Sequence, residues 1–529
     1  MDIKKFLNLY KKCVQRKQNW ERLYRDAMEL FMPEREDFYE SIAGQKKGRN
    51  VYTSSPAIAL DKAVNNLHAS LTPTHKQWLR YKAGRGIEQA NREDANKQLE
   101  DVSKVVFDYM LGSNFDLSIS EFYKDLFIGT AALLVSGTKQ HPLIFTAVPL
   151  KELYIGTGPL GVVDKIFRSY KIKLGSIEGT WEDAVIDKEL RSMIDNNPEK
   201  EVQIVEGTCP KKIKRFNMKT EKTEEIDGFG YYVSFKDKFL VQRDMPINPW
   251  VVSRWSVLSG EEYGRGPCVV ALNDAKTLNQ FIRLHMQNME LAVHSMFTVV
   301  DDGVINVKNI RIGPAAMIPV SANDGVYGPS IKPLVVGGNF QVGQMEVQRL
   351  ETSINSQMYA DPLGRIDLPV KTATEMSLRQ QELAKRIGSA FGRLQYEMAK
   401  PIADLCIYQL DKFGIINMND FRVDGVNVAV DVVSPLAQSQ AQDDINNVMR
   451  YTEFAMGTLG PQLALSLIKP EELLDFVGDQ LAIPMVLQLS DQDKAAFKGK
   501  MQAGEMAQAA QMAQAVGGAA NATGQPIQQ

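Results

Sequence analysis

The stretch Arg254-Trp255-Ser256-Val257-Leu258-Ser259-Gly260-Glu261-Glu262-Tyr263-Gly264-Arg265-Gly266-Pro267 leads straight into a long helical pattern. Residues 267–295 carry Val270, Leu278, Phe281, Ile282, Met289 and Leu291 toward one side, the spacing of an amphipathic helix. Between Lys276 and Gln287 this segment holds Lys276, Arg283 and His285 but no acid. Residues 296–340 are then β-rich and punctuated by turns: Asp301-Asp302-Gly303, Gly313-Pro314, Asn323-Asp324-Gly325, Gly328-Pro329 and Gly337-Gly338. A second helix over 341–360 places Met345, Leu350, Ile354 and Met358 nearly in register. A breaker loop follows, from Asp361-Pro362-Leu363-Gly364-Arg365 to Pro369. Thr372 with Glu375 reads as a capping box. It opens a long helix with Leu383, Ile387, Phe391, Leu394, Met398, Ile402 and Leu405 on one face, and Pro401 is expected to kink it. Two helices flanking an excursion can pair as a projecting stalk. Alone, that stalk would expose apolar faces, so neighbouring copies are expected to cover them.

Working outward toward the N-terminus, the first 140 residues read as helices. Trp20, Leu23, Tyr24, Ala27, Leu30 and Phe31 fall at helical spacing, and Pro33 stops the run. Ser55-Pro56 starts a helix with Ile58, Val64, Leu67 and Leu71 on one face, ended by Pro73. Residues 75–82 suit a short strand; Leu99, Val102, Val106 and Met110 mark another helix, and 119–136 a further one. Between 141 and 255 the pattern changes to strands at 143–148, 153–155, 162–173, 202–209, 213–218 and 231–243, with a helix at 182–193. Beyond a β segment near 426–433, helices are expected at 437–456, 461–468, 470–482 and 491–516. Residues 517–529 have almost no large apolar groups and are expected to be disordered in the free chain. The fold class is therefore α+β, mainly helical.

Composition sets the bounds. The 529 residues are 44% apolar and 24% charged, ordinary globular usage with room for a large core. Lys plus Arg is 61 and Asp plus Glu 64, a net charge of −3, which argues against nucleic-acid binding driven by overall positive charge. Charge is uneven: residues 1–50 have a net of +4 and residues 401–529 a net of −8. Cys13, Cys209, Cys268 and Cys406 are too scattered for a disulfide framework or a cysteine-based zinc site. No signal peptide is read at the N-terminus, and no run is long and apolar enough to span a membrane. A soluble, intracellularly made protein of several parts is expected.

Few motifs suggest chemistry. Gly156-Thr157-Gly158-Pro159-Leu160-Gly161 fits a dinucleotide-loop spacing, but a strand-like run from Val162 follows where a helix would be needed. A hairpin turn is the better reading. No phosphate-binding P-loop is present. The histidines at 68, 75, 141, 285 and 294 show no metal-binding spacing, Asp301-Asp302 reads as a turn, and no nucleophile elbow occurs. Lys211, Lys212, Lys214 and Arg215 form a basic cluster, either a solvated hairpin or a contact for phosphate or an acidic partner. No catalytic residue, metal or cofactor is expected.

Two motifs carry a resemblance. Asn66-Leu67-His68-Ala69-Ser70-Leu71-Thr72-Pro73, ending in Trp78-Leu79-Arg80-Tyr81, is similar to the N-terminal signature of the head-to-tail connector (portal) proteins of short-tailed bacteriophages, the podovirus type. The opening stretch is the more specific match: Arg254, Trp255, Glu261, Tyr263, Gly264, Arg265, Gly266 and Pro267, continuing through Ala271-Leu272, Asp274 and Leu278-Asn279. The resemblance runs from about residue 10 to 480 with matching element order.

The resemblance implies a portal fold and a ring of twelve subunits at one capsid vertex. It implies a wing (1–266, with 373–435 adding a long kinked helix and a β segment), stem helices at 267–295 and 341–360, a clip at 296–340, a tunnel loop at 361–372 and a helical crown with a flexible tail at 436–529. Double-stranded DNA would pass through the channel, without sequence specificity, during packaging and ejection. The implied partners are eleven further copies, the major capsid protein, a scaffolding protein, the terminase large subunit, and then tail adaptor or nozzle proteins. The implied location is the virion, with assembly in the host cytoplasm. The alternatives are another virion structural or scaffolding protein and a nucleic-acid-processing enzyme, for which no catalytic cluster is found. Charge agrees with a conduit: a helix of ~28 residues is ~42 Å long and faces ~25 phosphates, so passage requires sparse positive charge. Arg365 and Lys371 in the loop, then Lys276 and Arg283, are the candidates for contact with DNA.

Overall fold

A computed structural model describes residues 1–35, 50–84, 92–159, 161–217, 222–293, 297–299, 331–333, 340–360, 386–417 and 428–460, together with short pieces at 48, 86–87, 468, 473–474 and 476–478; residue 389 lies outside them. The fold over these residues is a mainly helical α+β fold.

Helix α1 (Ile3–Phe31) ends where Pro33 removes the next amide donor. Helix α2 (Ser55–Leu71) has Pro56 in its first turn and buries Leu60, Val64, Leu67 and Leu71. Ile58, expected on the same face, is instead 48% exposed. Strand β1 (Leu79–Ala83) precedes α3 (Arg92–Leu111) and α4 (Phe115–Ile128). The expected helix 119–136 is overturned: α4 stops at Ile128, Gly129 caps it, and Thr130–Ser136 is a strand, β2. The run is apolar on both sides, with Ala131, Ala132 and Leu133 all buried. Such a run carries no period to separate a buried helix from a central strand.

Strand β2 is the centre of a three-stranded antiparallel sheet, flanked by β3 (Ile144–Val148) and by β9 (Trp250–Arg254). A second sheet runs in simple meander order through β4 (Leu153–Thr157), β5 (Val163–Lys173), β6 (Glu201–Asn217), β7 (Lys222–Phe235) and β8 (Lys238–Met245). The Gly156–Gly161 motif is the β4–β5 turn, with Gly158 N–H donating to Val162 O at 2.9 Å and a strand after it, so it is no phosphate loop. The expected strands 202–209 and 213–218 are one continuous β6 that runs through Pro210. The basic cluster lies on it in register with an acidic partner: Lys212 opposite Asp227 and Lys214 opposite Glu225. Lys211 Nζ also binds Asp244 at 2.6 Å on β8.

Alternation along β7 gives the second sheet two apolar faces. Tyr231 and Val233 pack with Leu174, Trp181, Leu190 and Ile194 from the segment that holds α5 (Ile177–Thr180) and α6 (Lys188–Asn196). Tyr232 faces the opposite way, toward Phe6 of α1, 5.5 Å between ring centroids. The helix expected at 182–193 starts later, because Asp187 caps it by accepting from Leu190 N–H at 2.8 Å.

Helix α7 (Pro267–Val270) and helix α8 (Leu272–Val293) are separated by a turn at Ala271. Val270 and Met289, expected on the apolar side, are 65% and 49% exposed. Helix α9 (Phe340–Gln357) returns antiparallel to α8: Asp274 accepts from Ser353 Oγ and Gln357 Nε2, both at 2.7 Å, while Gly343 lies beside His285 about three turns further along α8. Of the expected excursion, β10 (Phe297–Val299) and β11 (Ile331–Pro333) pair antiparallel. The rest of 296–340, the loop 361–372 and the capping box at Thr372 lie outside the described residues.

Helix is described at 386–388 and 390–394, widens into a π-turn at Gln395–Ala399, and continues as α10 (Lys400–Lys412). The expected break at Pro401 thus takes a specific form. A proline ring collides with the carbonyl four residues back, here Glu397, and the wider turn moves that carbonyl aside. Strand β12 (Val428–Val432) pairs antiparallel with β1, and α11 (Pro435–Leu459) follows, capped by Ser434. One continuous core joins α1–α4, the three-stranded sheet, α7–α10 and Val428.

Lys17 of α1 is wholly buried in this architecture. Its Nζ donates to the carbonyls of Leu150 at 2.7 Å and Lys151 at 2.9 Å, and lies 4.3 Å from the Tyr154 ring centroid. Burial lowers its pKa from 10.5 to about 7, opposed by the Glu21, Asp125 and Glu152 carboxylates. The folded state therefore holds fewer protons at this site than the unfolded state between pH ~7 and ~10.5, and stability rises with pH across that window. Asp125, buried against Arg35, is raised by burial to about 6. Its contribution is complete below its ordinary value of 3.8 and lost as pH rises through about 6. Lys17→Met is expected to flatten the stability gain between pH 7 and 9.5, measured as the difference in urea midpoints. An unchanged gain would show that Lys17 does not titrate in this window.

Candidate functional site: the junction at residues 254–267

The chain from Arg254 to Pro267 lies backbone-to-backbone against the α4–β2 bend. Trp255 N–H donates to Gly129 O at 3.0 Å, Gly264 N–H to Thr130 Oγ1 at 2.9 Å, and Gly266 N–H to Ile128 O at 3.0 Å. Glycine is required here by proximity. A Cβ on Gly264 would strike the Gly129 carbonyl oxygen, and one on Gly266 the Phe127 carbonyl oxygen, each well inside 3.0 Å. Gly266 caps α7, and Pro267 sits at its first position, where no amide hydrogen is needed.

Side chains tie this seam to the rest of the core. Tyr24 Oη of α1 donates to Gly264 O at 2.6 Å. Tyr263, fully buried, accepts from Ile155 N–H of β4 at 3.0 Å. Trp255 packs on Phe127 (5.1 Å between centroids) and on Tyr359 (5.8 Å), just past the end of α9. Arg265 pairs with Glu261 and lies 4.9 Å from the Trp20 ring. Both roots of the α8–α9 arm therefore meet at one buried node. Trp78 is a separate anchor: it is buried, stacked on Phe115 at 5.9 Å, and its carbonyl accepts from Val433 N–H at 2.9 Å.

Arg254 makes the strongest polar contact of the node. Its side chain is 4% exposed. The Glu397 carboxylate accepts from Arg254 Nη2 at 2.6 Å, from its Nε at 3.3 Å, from its backbone N–H at 2.9 Å, and from Arg393 Nη1 at 3.1 Å. Arg254 also donates to the carbonyls of Glu262 and Gly161, both at 3.2 Å. A planar guanidinium with every side occupied sets the angle between β9, the β4–β5 turn and the π-turn. Sequence reading misses Glu397. It lies 143 residues away on a helix face that reads as ordinary surface.

The candidates for contact with DNA are placed differently. Lys276 Nζ lies 2.6 Å from Asp26 of α1, and Arg283 lies 5.7 Å from the Tyr52 ring. Asn279 binds the same 50–52 segment, accepting from Tyr52 N–H at 2.7 Å and donating to Asn50 O at 2.8 Å. These three α8 side chains thus face this chain's own N-terminal layer. Arg365 and Lys371 lie outside the described residues. Among the described residues no cluster of acids, histidines and cysteines is arranged to hold a metal, and no helix is long and apolar enough to cross a membrane.

Comparison with known proteins follows the same outline. The family model described as "Bacteriophage head to tail connecting protein" matches residues 4–487. The chain is 20% identical over 482 residues to a probable portal protein of Bordetella phage BPP-1, covering 88% of this chain and 83% of that relative. Among solved structures it is similar to a chain of the virion of a native gene transfer agent particle, at 9% identity and a TM-score of 0.33, over 89% of this chain and 99% of that one. It is also similar to a chain from the neck of an empty gene transfer agent particle, at 10% identity and a TM-score of 0.31, over 77% and 91%. With the family model spanning all but the ends of the sequence, the node at 254–267 included, this chain belongs to the bacteriophage head-to-tail connecting protein family.

Proposed function

We propose that the chain is the portal subunit of a phage: twelve copies form a closed ring at one capsid vertex and serve as the channel for double-stranded DNA in packaging and ejection. In this reading residues 1–266 and 373–435 are the wing, 267–295 and 341–360 the stem, 296–340 the clip, 361–372 the tunnel loop and 436–529 the crown. The clip receives the terminase large subunit and later the tail adaptor or nozzle proteins. The wing and crown meet the major capsid protein and the scaffolding protein. The chain itself catalyses nothing. Arg365 and Lys371 are the DNA-facing cations. Lys276 and Arg283 are second to them, since Asp26 and Tyr52 already engage them.

The observation that carries the reading is the antiparallel α8–α9 arm rooted at the buried node. Its two helices leave Leu284, Met286 and Met289 of α8, and Met345 of α9, 48–70% exposed. A paired stalk that exposes this many apolar groups is completed by neighbours, and a rotationally symmetric ring supplies one on each side. Native mass spectrometry with negative-stain imaging tests it. Twelve chains of 59.2 kDa give ~710 kDa, seen end-on as a ring with a channel wide enough for duplex DNA. A monomer or dimer persisting at high concentration would sink the proposal.

A further inference from the structure

Helix α11 exposes apolar side chains on both sides of the stripe it buries. Ile445 and Ala455 are buried, while Met449, Tyr451, Phe454 and Met456 are 40–70% exposed. At 100° per residue, Tyr451 and Phe454 form one flank of the stripe, and Met449 and Met456 form the other, roughly 180° away. The two flanks are centred at the same height on the helix, between residues 452 and 453. Arg450 borders the first flank and Glu453 the second. Both are exposed, and neither makes an ion pair among the described residues.

We propose that α11 is an inter-subunit helix that mates head to tail: Tyr451 and Phe454 of one copy pack on Met449 and Met456 of the next, and Arg450 of the first pairs with Glu453 of the second. A two-fold dimer uses the same patch on both copies and needs one flank only. Two unlike flanks on opposite sides are what a heterologous contact requires. Their equal height means that, with α11 running along the ring axis, copies related by rotation without axial shift bring them together, as a closed ring requires. Charges of opposite sign at the two borders fix the direction of mating. The inference rests on the ring proposed above and adds the surface that joins its members in the C-terminal layer.

The test joins two experiments on the full-length chain. A Phe454→Cys/Met456→Cys variant is oxidised mildly at ring-forming concentration and run without reductant. The two positions lie on opposite flanks and cannot bridge within one helix, so a ladder of covalent multimers is expected. Separately, Arg450→Glu and Glu453→Arg singly place like charges face to face and should raise the half-assembly concentration at least tenfold, while the reciprocal double variant returns it toward the parent value. Rings in the parent with no ladder and no effect of either swap would overturn this interface and leave the ring standing. Absence of rings in the parent would count against the ring itself. If no ladder forms but deleting residues 491–529 makes the introduced thiols more reactive, the chain's own tail covers the flanks and the proposal is wrong.

Discussion

Gly266→Ala is expected to remove a large share of the folding stability while leaving a folded protein to titrate. The added methyl would meet the Phe127 carbonyl oxygen and the backbone carbons of Phe127 and Ile128, not the movable end of a side chain. Overpacking a core costs ~1–3 kcal/mol when side chains can yield, and more when they cannot. Here yielding means separating the Gly266 N–H from Ile128 O and shifting the start of α7, which would also disturb the root of α8. We expect a loss of about 4 kcal/mol, a large share of the ~5–15 kcal/mol that holds a domain together. Denaturant midpoints measure it. Gly457→Ala is the control: it lies in α11 with nothing within 4 Å of its would-be Cβ, and it should be neutral or slightly stabilising, as alanine is in a helix. Equal midpoints for the parent and Gly266→Ala would mean that the seam is not close-packed.

The second large effect is expected at Glu397. Glu397→Ala leaves the Arg254 guanidinium buried without its counter-charge and strips the Arg254 amide of its acceptor. Breaking a buried pair from one side costs ~3–5 kcal/mol. Replacing both partners by apolar groups of similar size costs far less, because no charge is stranded. The Arg254→Met/Glu397→Leu double variant should therefore be more stable than Glu397→Ala, and Glu397→Gln, which keeps one acceptor, should fall between Glu397→Ala and the parent. A double variant less stable than the single one would show that the pair contributes through attraction more than through avoided desolvation. Because the pair joins β9 to the π-turn, these variants should also slow assembly of the proposed ring beyond what their stability loss explains.

Elements bounded by strong punctuation were legible in the sequence. Pro33 and Pro73 closed the first two helices, the Gly156–Gly161 turn read as a hairpin, and the helix–excursion–helix order of 267–360 matched α8, β10, β11 and α9. Local pattern failed where tertiary burial removed it. Ala131, Ala132 and Leu133 are buried on both faces of β2, so nothing distinguished strand from helix there. The strands expected at 202–209 and 213–218 are one, since β6 continues through Pro210. The node itself was only half visible. Its glycines and aromatic residues stood out as a motif, but Gly129, Thr130, Tyr24 and Glu397, which give those residues their purpose, belong to distant segments with no local signature. Lys17 was not singled out by the sequence, since burial is not written in spacing.

The π-turn before α10 also has a mechanical consequence. A helix carries axial load through its ladder of amide-to-carbonyl bonds, and this one is weakest between 395 and 401, where the turn is wide and Pro401 offers no hydrogen. Glu397 sits inside that weak link and is fastened sideways to Arg254. The helix is clamped by apolar packing on both sides of this link, by Ile387, Phe391 and Leu394 before it and by Ile402, Leu405 and Cys406 after it. The carboxylate–guanidinium bond is thus the polar tie that bridges a gap in the amide ladder, fastening the helix to β9 where its own hydrogen bonds are fewest.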